Sequence, residues 1–374
     1  MTTTVQTVRQ TTTINEASRQ WANRPPDQRF TTLGELQRYK AAQRQLSTTI
    51  DIDPGRLPLR AKGDPAEGDL AIGMKTGDAT FTNWSFGQLC GLAGAPAGYL
   101  RTLPSPMTKN LLEYGLQFGA RAEQDKGVRL LFTGLPDTRT AMAFTSQSYG
   151  RIWDVDVVNT VVELNERQEG RWKVPLASYT SQDPLRATTL YASDRDVFIF
   201  LVDPDRPVDG GGEDDQLFRG FIVSNSEVGS ATFTLLTFLY RYVCDNRIIW
   251  GTRDISQLTI RHSKGGPSRF LEEAAPTLAA YSMGSAKAVE GAIRLAKDKQ
   301  IASRREDVRQ FLIGRGFTKT SADLGLDLTV MAGGDPTNLW QVVQGLTASA
   351  RAIPHQDTRV AFEREVGKLI EIAG

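Results

Sequence analysis

The chain has 374 residues, 40% hydrophobic and 23% charged, with a net charge of +1. This is ordinary globular usage, which excludes a disordered or fibrous chain, and the overall balance alone gives no reason to expect a polyanionic partner. Two cysteines (Cys90 and Cys244) and two histidines (His262 and His355) leave almost no ligands for structural zinc, so neither a metal nor another cofactor is expected.

Residues 1–30 read as a mobile arm: MTTTVQTVRQTTT is Thr-rich without an apolar pattern, and Asn23-Arg24-Pro25-Pro26 is turn-prone. The arm lacks the apolar core of a secretory signal. Nowhere does the chain offer the roughly 18 apolar residues of a spanning helix, so a cytoplasmic location is expected.

After Thr32, the spacing of Leu33, Leu36 and Tyr39 predicts a helix to Gln45, ending before Asp53-Pro54-Gly55. Lys62 to Asp69 reads as loop. A strand near Ala79 leads into a short helix beyond Trp84, and Met107 to Phe118 reads as helix. Val128 to Phe132 and Thr140 to Phe144, joined through Gly134-Leu135-Pro136-Asp137, predict a hairpin. Val155 to Leu164 fits strand or helix. Asp196 to Val202 is a buried strand, followed by an acidic, Gly-rich loop from Asp203 to Asp215. Phe218 to Val223 and Ala231 to Leu236 bracket a turn, with the second strand passing into helix near Leu239. Ile255 to His262 alternates as a strand, and beyond Pro267 the chain favours helix. Ser303-Arg304-Arg305-Glu306 has the form of a capping box before a helix that Gly314-Arg315-Gly316 ends. Two last helices, 338–352 and 357–372, flank Ile353-Pro354-His355. The fold class expected is α+β: an antiparallel sheet in a strand-rich region 31–266, packed against a mainly helical region 267–374.

Three segments together resemble a phage and plasmid family known only as a domain of unknown function, the one numbered 932. They are the stretch from Gly220 through Asn225, Ser226 and Gly229 to Arg241, Cys244 and Asn246; Ile260-Arg261-His262-Ser263; and the C-terminal run with Trp340, Thr347, His355 and Arg359. The resemblance covers about residues 81–374 and departs from the commoner pattern at Arg247, where a small residue often stands. It implies a mobile-element setting in a bacterial host cell and assigns no chemistry.

Each site has a plain structural reading beside a chemical one. Asn225, Ser226 and Gly229 could turn their amides toward a phosphate, or simply form a hairpin turn. Cys244 has no histidine nearby in sequence to activate it. His262 and His355 are the natural residues for acid–base work, yet no nucleophile pattern or nucleotide-binding fingerprint accompanies them. Asp194, Asp196 and Asp203, with Asp154 or Asp156, could hold Mg²⁺ as in a nuclease, or be solvated strand ends.

Charge is uneven along the chain: residues 252–320 carry 13 Lys/Arg against 7 Asp/Glu. Arg253, Arg261, Lys264, Arg269, Lys287, Arg294, Lys297, Arg304, Arg305 and Arg309 could track phosphates. Trp153, Trp172 and Trp250 stand beside arginines and could stack bases. The expectation is a non-catalytic phage or plasmid protein, able to form a homo-oligomer, that binds single-stranded DNA in replication, recombination or annealing. The alternatives are a metal-dependent nuclease and a structural or counter-defence protein that binds another protein.

Overall fold

The computed structural model describes residues 26–63, 69–75, 77–119, 127–175, 188–208, 217–241, 246–248, 257–284, 287–350, 353 and 356–373. The Thr-rich arm up to residue 25, Cys244, Trp250, Arg253 and His355 lie outside them, as do residues 64–68 and 209–216; residues 203–208, expected as the start of a loop, are strand. The α+β class holds, with the strands shared between two sheets rather than one.

A two-residue strand β1 (Arg29–Phe30) precedes helix α1 (Leu33–Gln45). Thr32 caps α1 by accepting from the Glu35 amide, while Glu35 reaches back to the Thr32 amide, so two free donors are satisfied at once. The first sheet holds β2 (Thr48–Ile52), β3 (Leu59–Ala61), β4 (Leu70–Met74), β5 (Gly77–Phe81), β6 (Val128–Thr133) and β7 (Thr140–Ser146), in the order β2-β6-β7-β5-β4-β3. The predicted hairpin is β6 and β7, and only β5 with β7 runs parallel. Helices α2 (Asn83–Leu92), α3 (Ala97–Leu100) and α4 (Ser105–Phe118) cover one face, setting Leu89, Cys90, Leu112 and Leu116 against Val128, Leu130 and Phe132. Burial pushes the Cys90 thiol up to about 11, which leaves it a small hydrophobe.

Helix α5 (Asp154–Arg167) settles the ambiguous 155–164 run. Val157, Val158, Val161 and Val162 are all buried, a spacing that lies on one helical face and would split across a strand. The second sheet comprises β8 (Leu190–Ala192), β9 (Val197–Val208), β10 (Leu217–Asn225), β11 (Phe233–Arg241), β12 (Asn246–Ile248) and β13 (Gln257–Ile260). Its order is β1-β8-β9-β10-β11-β12, with β13 also on β11. The expected passage into helix near Leu239 does not occur, because Leu239 is paired with Arg219 on one side and Ile248 on the other. The alternation is clean. Val197, Ile199, Leu201, Phe221, Val223 and Leu235 face α1 and α5, while Phe198, Phe200, Val202, Ile222, Leu236 and Phe238 form a second cluster on the other face.

The chain then turns helical. α6 (Gly266–Arg269) opens into a π turn (Phe270–Ala274) before α7 (Ala275–Met283). Pro276 has no amide hydrogen to offer the preceding turn, which accounts for the widening. A C-terminal bundle follows: α8 (Lys287–Asp298), α9 (Arg305–Gly314), α10 (Lys319–Met331), α11 (Leu339–Ser349) and α12 (Gln356–Lys368). The capping box expected at Ser303 is not formed. The N-cap is Arg304, without a side-chain cap, and its guanidinium pairs with Asp307 at 2.9 Å. No helix among the described residues is long and apolar enough to cross a membrane.

Two helix glycines in the bundle should respond to alanine with opposite signs. A Cβ on Gly345 would sit 2.1 Å from Thr329 Oγ1 and 2.2 Å from the Gly325 carbonyl, so Gly345→Ala must prise α10 from α11. It is expected to cost about 1–3 kcal/mol in chemical denaturation. Gly291 in α8 has nothing within 4 Å of such a Cβ, and Gly291→Ala is expected to stabilise by about 0.5–1 kcal/mol.

Candidate functional site

The turn between β10 and β11 is where the two sheets meet. Val228 at its tip packs on Leu131, Met142 and Ala143, the outer face of the first sheet, beside Trp84 and Trp153. The Val228 carbonyl accepts from Trp84 Nε1 at 3.0 Å and Gln88 Nε2 at 3.2 Å. Ser226 is fully buried and donates to the Arg195 carbonyl, and its own carbonyl accepts from the Tyr149 hydroxyl. Gly229 supplies the left-handed φ of +84° that closes the turn.

Behind the turn lies a buried charge cluster. Lys40 on α1 pairs with Asp154 at 2.9 Å, with both side chains at most 2% exposed. Asn225 donates to Asp154 and to the Ile152 carbonyl, and the Asp154 amide donates to the Glu227 carboxylate at 3.0 Å. Burial pushes the Asp154 carboxyl up to about 7 against the pull of Lys40, with Glu227 adding to the rise. Burial also works against the Lys40 charge, but Asp154 and Glu227 outweigh it and hold the ammonium above the usual lysine range.

In front of the turn a cleft of about 480 Å³ opens between the sheets, lined by Thr49 of β2, Arg129 of β6, the 147–151 segment, Trp153 and Lys264. Three of these residues are cations and none is a carboxylate. Arg129 is paired with Asp51 at 2.8 Å. Lys264 is exposed. Arg151 is only 8% exposed and donates to two neutral oxygens, the Glu227 carbonyl and Thr145 Oγ1. The Glu227 and Asp154 carboxylates act on its charge from within the protein, and the guanidinium also lies over the Tyr149 and Trp153 rings, 5.2 and 5.4 Å from their centroids. At the rim, the Arg44 guanidinium lies 3.9 Å over the Trp153 ring with its side chain exposed, a flat cationic surface of the kind on which bases stack.

The cleft wall is fixed from below by His262. Its ring stacks on Tyr149 at 5.0 Å, its Nδ1 accepts from the Ile152 amide at 3.2 Å, and its carbonyl accepts from the Gly150 amide. A Cβ on Gly150 would fall 1.8 Å from the Ser263 carbonyl, so only glycine lets these two segments touch. Burial pushes the imidazole down to about 4, Arg151 adding to the fall against backbone bonds at Gly150 and Ala231. That neutrality suits an acceptor at Nδ1.

Residues 180–313 match the family described as Domain of unknown function (DUF932). Over that segment the chain is similar to this family. Comparison with curated proteins and with solved structures returned no match. The segment contains the inserted turn, His262 and Lys264, while Tyr149, Arg151, Trp153, Lys40 and Asp154 precede it.

The structure brings Asn225, Ser226, Gly229 and His262 together at this joint, though not as a phosphate nest, because the turn is buried against protein. Arg241 and Asn246 pair their backbones between β11 and β12. Trp340 and Thr347 belong instead to the bundle, where Trp340 is core and Thr347 donates to the Val343 carbonyl. Trp172 is likewise core, 1% exposed, and offers no stacking surface. The basic stripe divides. Lys264 lines the cleft and Arg261 is exposed, while Arg269, Arg304, Arg305 and Arg309 pair with Glu273, Asp307, Asp327 and Asp323. Lys297 lies over the Trp340 ring, and Lys287 and Arg294 are exposed. The aspartates are dispersed: Asp203 pairs with Arg171, Asp196 accepts from Ser193, and Asp154 is taken by Lys40. Among the described residues no three His, Cys, Asp or Glu are grouped so as to hold a metal ion.

Sequence reasoning missed Arg129, Arg151, Tyr149, Lys40 and Glu227 as parts of one site. The Arg151-Ile152-Trp153-Asp154 run is a usable signal, since it places arginine, tryptophan and aspartate beside a tight glycine.

Removing Lys40 should strand Asp154 in the core, so Lys40→Ala is expected to lower stability by about 3–5 kcal/mol in denaturant titration. His262 gives a pH signature. Its folded pKa lies below the unfolded value of about 6.5, so the unfolded chain binds the extra proton between about 4 and 6.5. Stability from this group is therefore present above that window and lost as pH falls through it. The Tm advantage of the wild type over His262→Asn should shrink from pH 7 to pH 4.5.

Proposed function

We propose that the protein binds nucleic acid without cleaving it, with single-stranded DNA its favoured ligand, and that the cleft between the sheets is the binding site. The observation that carries this reading is Arg151, buried in a carboxylate-free wall and hydrogen-bonded there to neutral oxygens. A phosphate in the cleft meets this cation and accepts from the remaining guanidinium donors. Lys264 extends the positive surface, Arg129 stands on the same wall in its pair with Asp51, and the Arg44–Trp153 pair gives an unpaired base a place to stack. A duplex keeps its bases covered and gains nothing from that platform. The setting that accords with this activity is a phage or plasmid gene acting in the bacterial cytoplasm during replication, recombination or annealing.

A role in binding another protein has one observation in its favour. Met107, Leu111, Tyr114 and Phe118 are exposed at helical spacing on α4 and form an uncovered apolar stripe.

The two readings separate in a fluorescence-anisotropy titration against labelled single-stranded and duplex oligonucleotides over a salt series, with Mg²⁺ present and the products run on a gel. Salt-sensitive binding of intact single strands is expected. The double variant Arg151→Ala/Lys264→Ala should lower the log–log salt slope by about 1.4, at roughly 0.7 for each phosphate no longer neutralised. Arg304→Ala/Arg305→Ala, whose charges are paired on the bundle, should leave it nearly unchanged. Absence of binding at low salt would overturn the reading and move the search to protein partners.

A further inference from the structure

Arg151 sits where the two sheets meet. One of its Nη groups donates to the Glu227 carbonyl, which belongs to the β10–β11 turn of the second sheet. The other donates to Thr145 Oγ1 at 3.3 Å, on β7 of the first sheet. The Thr145 hydroxyl has one proton, and it goes to the Arg129 carbonyl at 3.2 Å on the paired strand β6. Its lone pairs are therefore free to accept from Arg151, and the direction of both bonds is fixed. Thr145 is itself only 8% exposed and is not among the residues lining the cleft.

We infer that Thr145 is a positioning residue for the binding site. It holds the Arg151 guanidinium, together with the Glu227 carbonyl, in the plane that a phosphate of the strand engages, and it ties that guanidinium to the strand bearing Arg129. A guanidinium meant for an anion loses affinity to side-chain freedom unless its geometry is set beforehand. The hydroxyl and the turn carbonyl set it, at a place where loop residues alone would leave the guanidinium to swing. This inference rests on the cleft being the nucleic-acid site.

The test is a double-mutant cycle on binding of fluorescein-labelled oligo(dT), read over a salt series. Thr145→Val keeps the shape of the side chain, favours strand and removes the hydroxyl; Thr145→Ser restores it. Thr145→Val is expected to weaken binding about 5- to 10-fold and lower the salt slope by roughly 0.7, while Thr145→Ser binds like wild type. In the Arg151→Ala background Thr145→Val should do nothing more, because the group it positions is gone. Arg151→Lys provides a second arm that does not depend on how Thr145→Val folds. A lysine keeps the charge but cannot span Thr145 and the Glu227 carbonyl, so it should bind nearly as weakly as Arg151→Ala.

Losses from Thr145→Val and Arg151→Ala that multiply would overturn the inference, as would a Thr145→Val loss with an unchanged salt slope, the mark of a merely structural role. Wild-type binding by Arg151→Lys would overturn it too, since charge alone would then suffice. If Arg151→Ala itself binds like wild type, the cleft reading fails and takes this inference with it.

Discussion

Insertion of one tight turn between two sheets is the constraint from which the rest of the structure follows. The turn after β10 would be an ordinary hairpin end in an isolated sheet, with its carbonyls in water. Here each of three successive carbonyls has a donor from the other layer: Ser226 from Tyr149, Glu227 from Arg151, Val228 from Trp84 and Gln88. A buried carbonyl without a donor is costly, so the two sheets cannot separate without losing these bonds together. Behind the turn, Lys40 and Asp154 add a charge pair that tolerates the loss of neither partner. The cleft in front is the residual space left where the layers meet.

This arrangement explains why its polar residues are divided so unevenly. Asn225, Ser226 and Glu227 look toward protein and bond there through the Asn225 amide nitrogen, the Ser226 hydroxyl and the Glu227 carboxylate, which makes them scaffold. Arg151 is the exception at the same joint: its hydrogen bonds go to neutral oxygens while it lines the carboxylate-free cleft. Burial then raises the value of any anion that reaches it, because the same ion–ion attraction is worth more away from water. The carboxylate-paired arginines of the C-terminal bundle stand in the opposite situation, exposed and already balanced.

Much of the fold was legible in the sequence. The 3.6-residue spacing in 33–45 and the two-residue alternation in 197–202 and 218–223 lead directly to α1, β9 and β10. The failures have local causes. The run at Leu239 carries enough leucine and aromatic residues for either structure, and it is strand because Arg219 and Ile248 hydrogen-bond it from both sides, a fact no local window contains. Ser303 has the right chemistry for a cap but the helix begins beyond Arg304, whose pairing with Asp307 takes over that turn. For the site, the motif positions 225, 226, 229 and 262 point to the joint, while the residues that line the cleft do not stand out. Arg129, Arg151 and Lys264 are separated by long stretches of chain, and only the packing of β6, the 147–153 segment and the end of β13 brings them to one wall.

Whether and where a single strand binds decides the proposed functional reading, and hydrogen–deuterium exchange with and without oligo(dT) addresses it most directly. With the cleft as the site, the oligonucleotide slows exchange in 145–153 and 261–266, the two segments that form the cleft wall, and leaves the 305–331 helices unchanged. Slowed exchange confined to 287–314, with none at 145–153, would contradict this and place the ligand on the bundle.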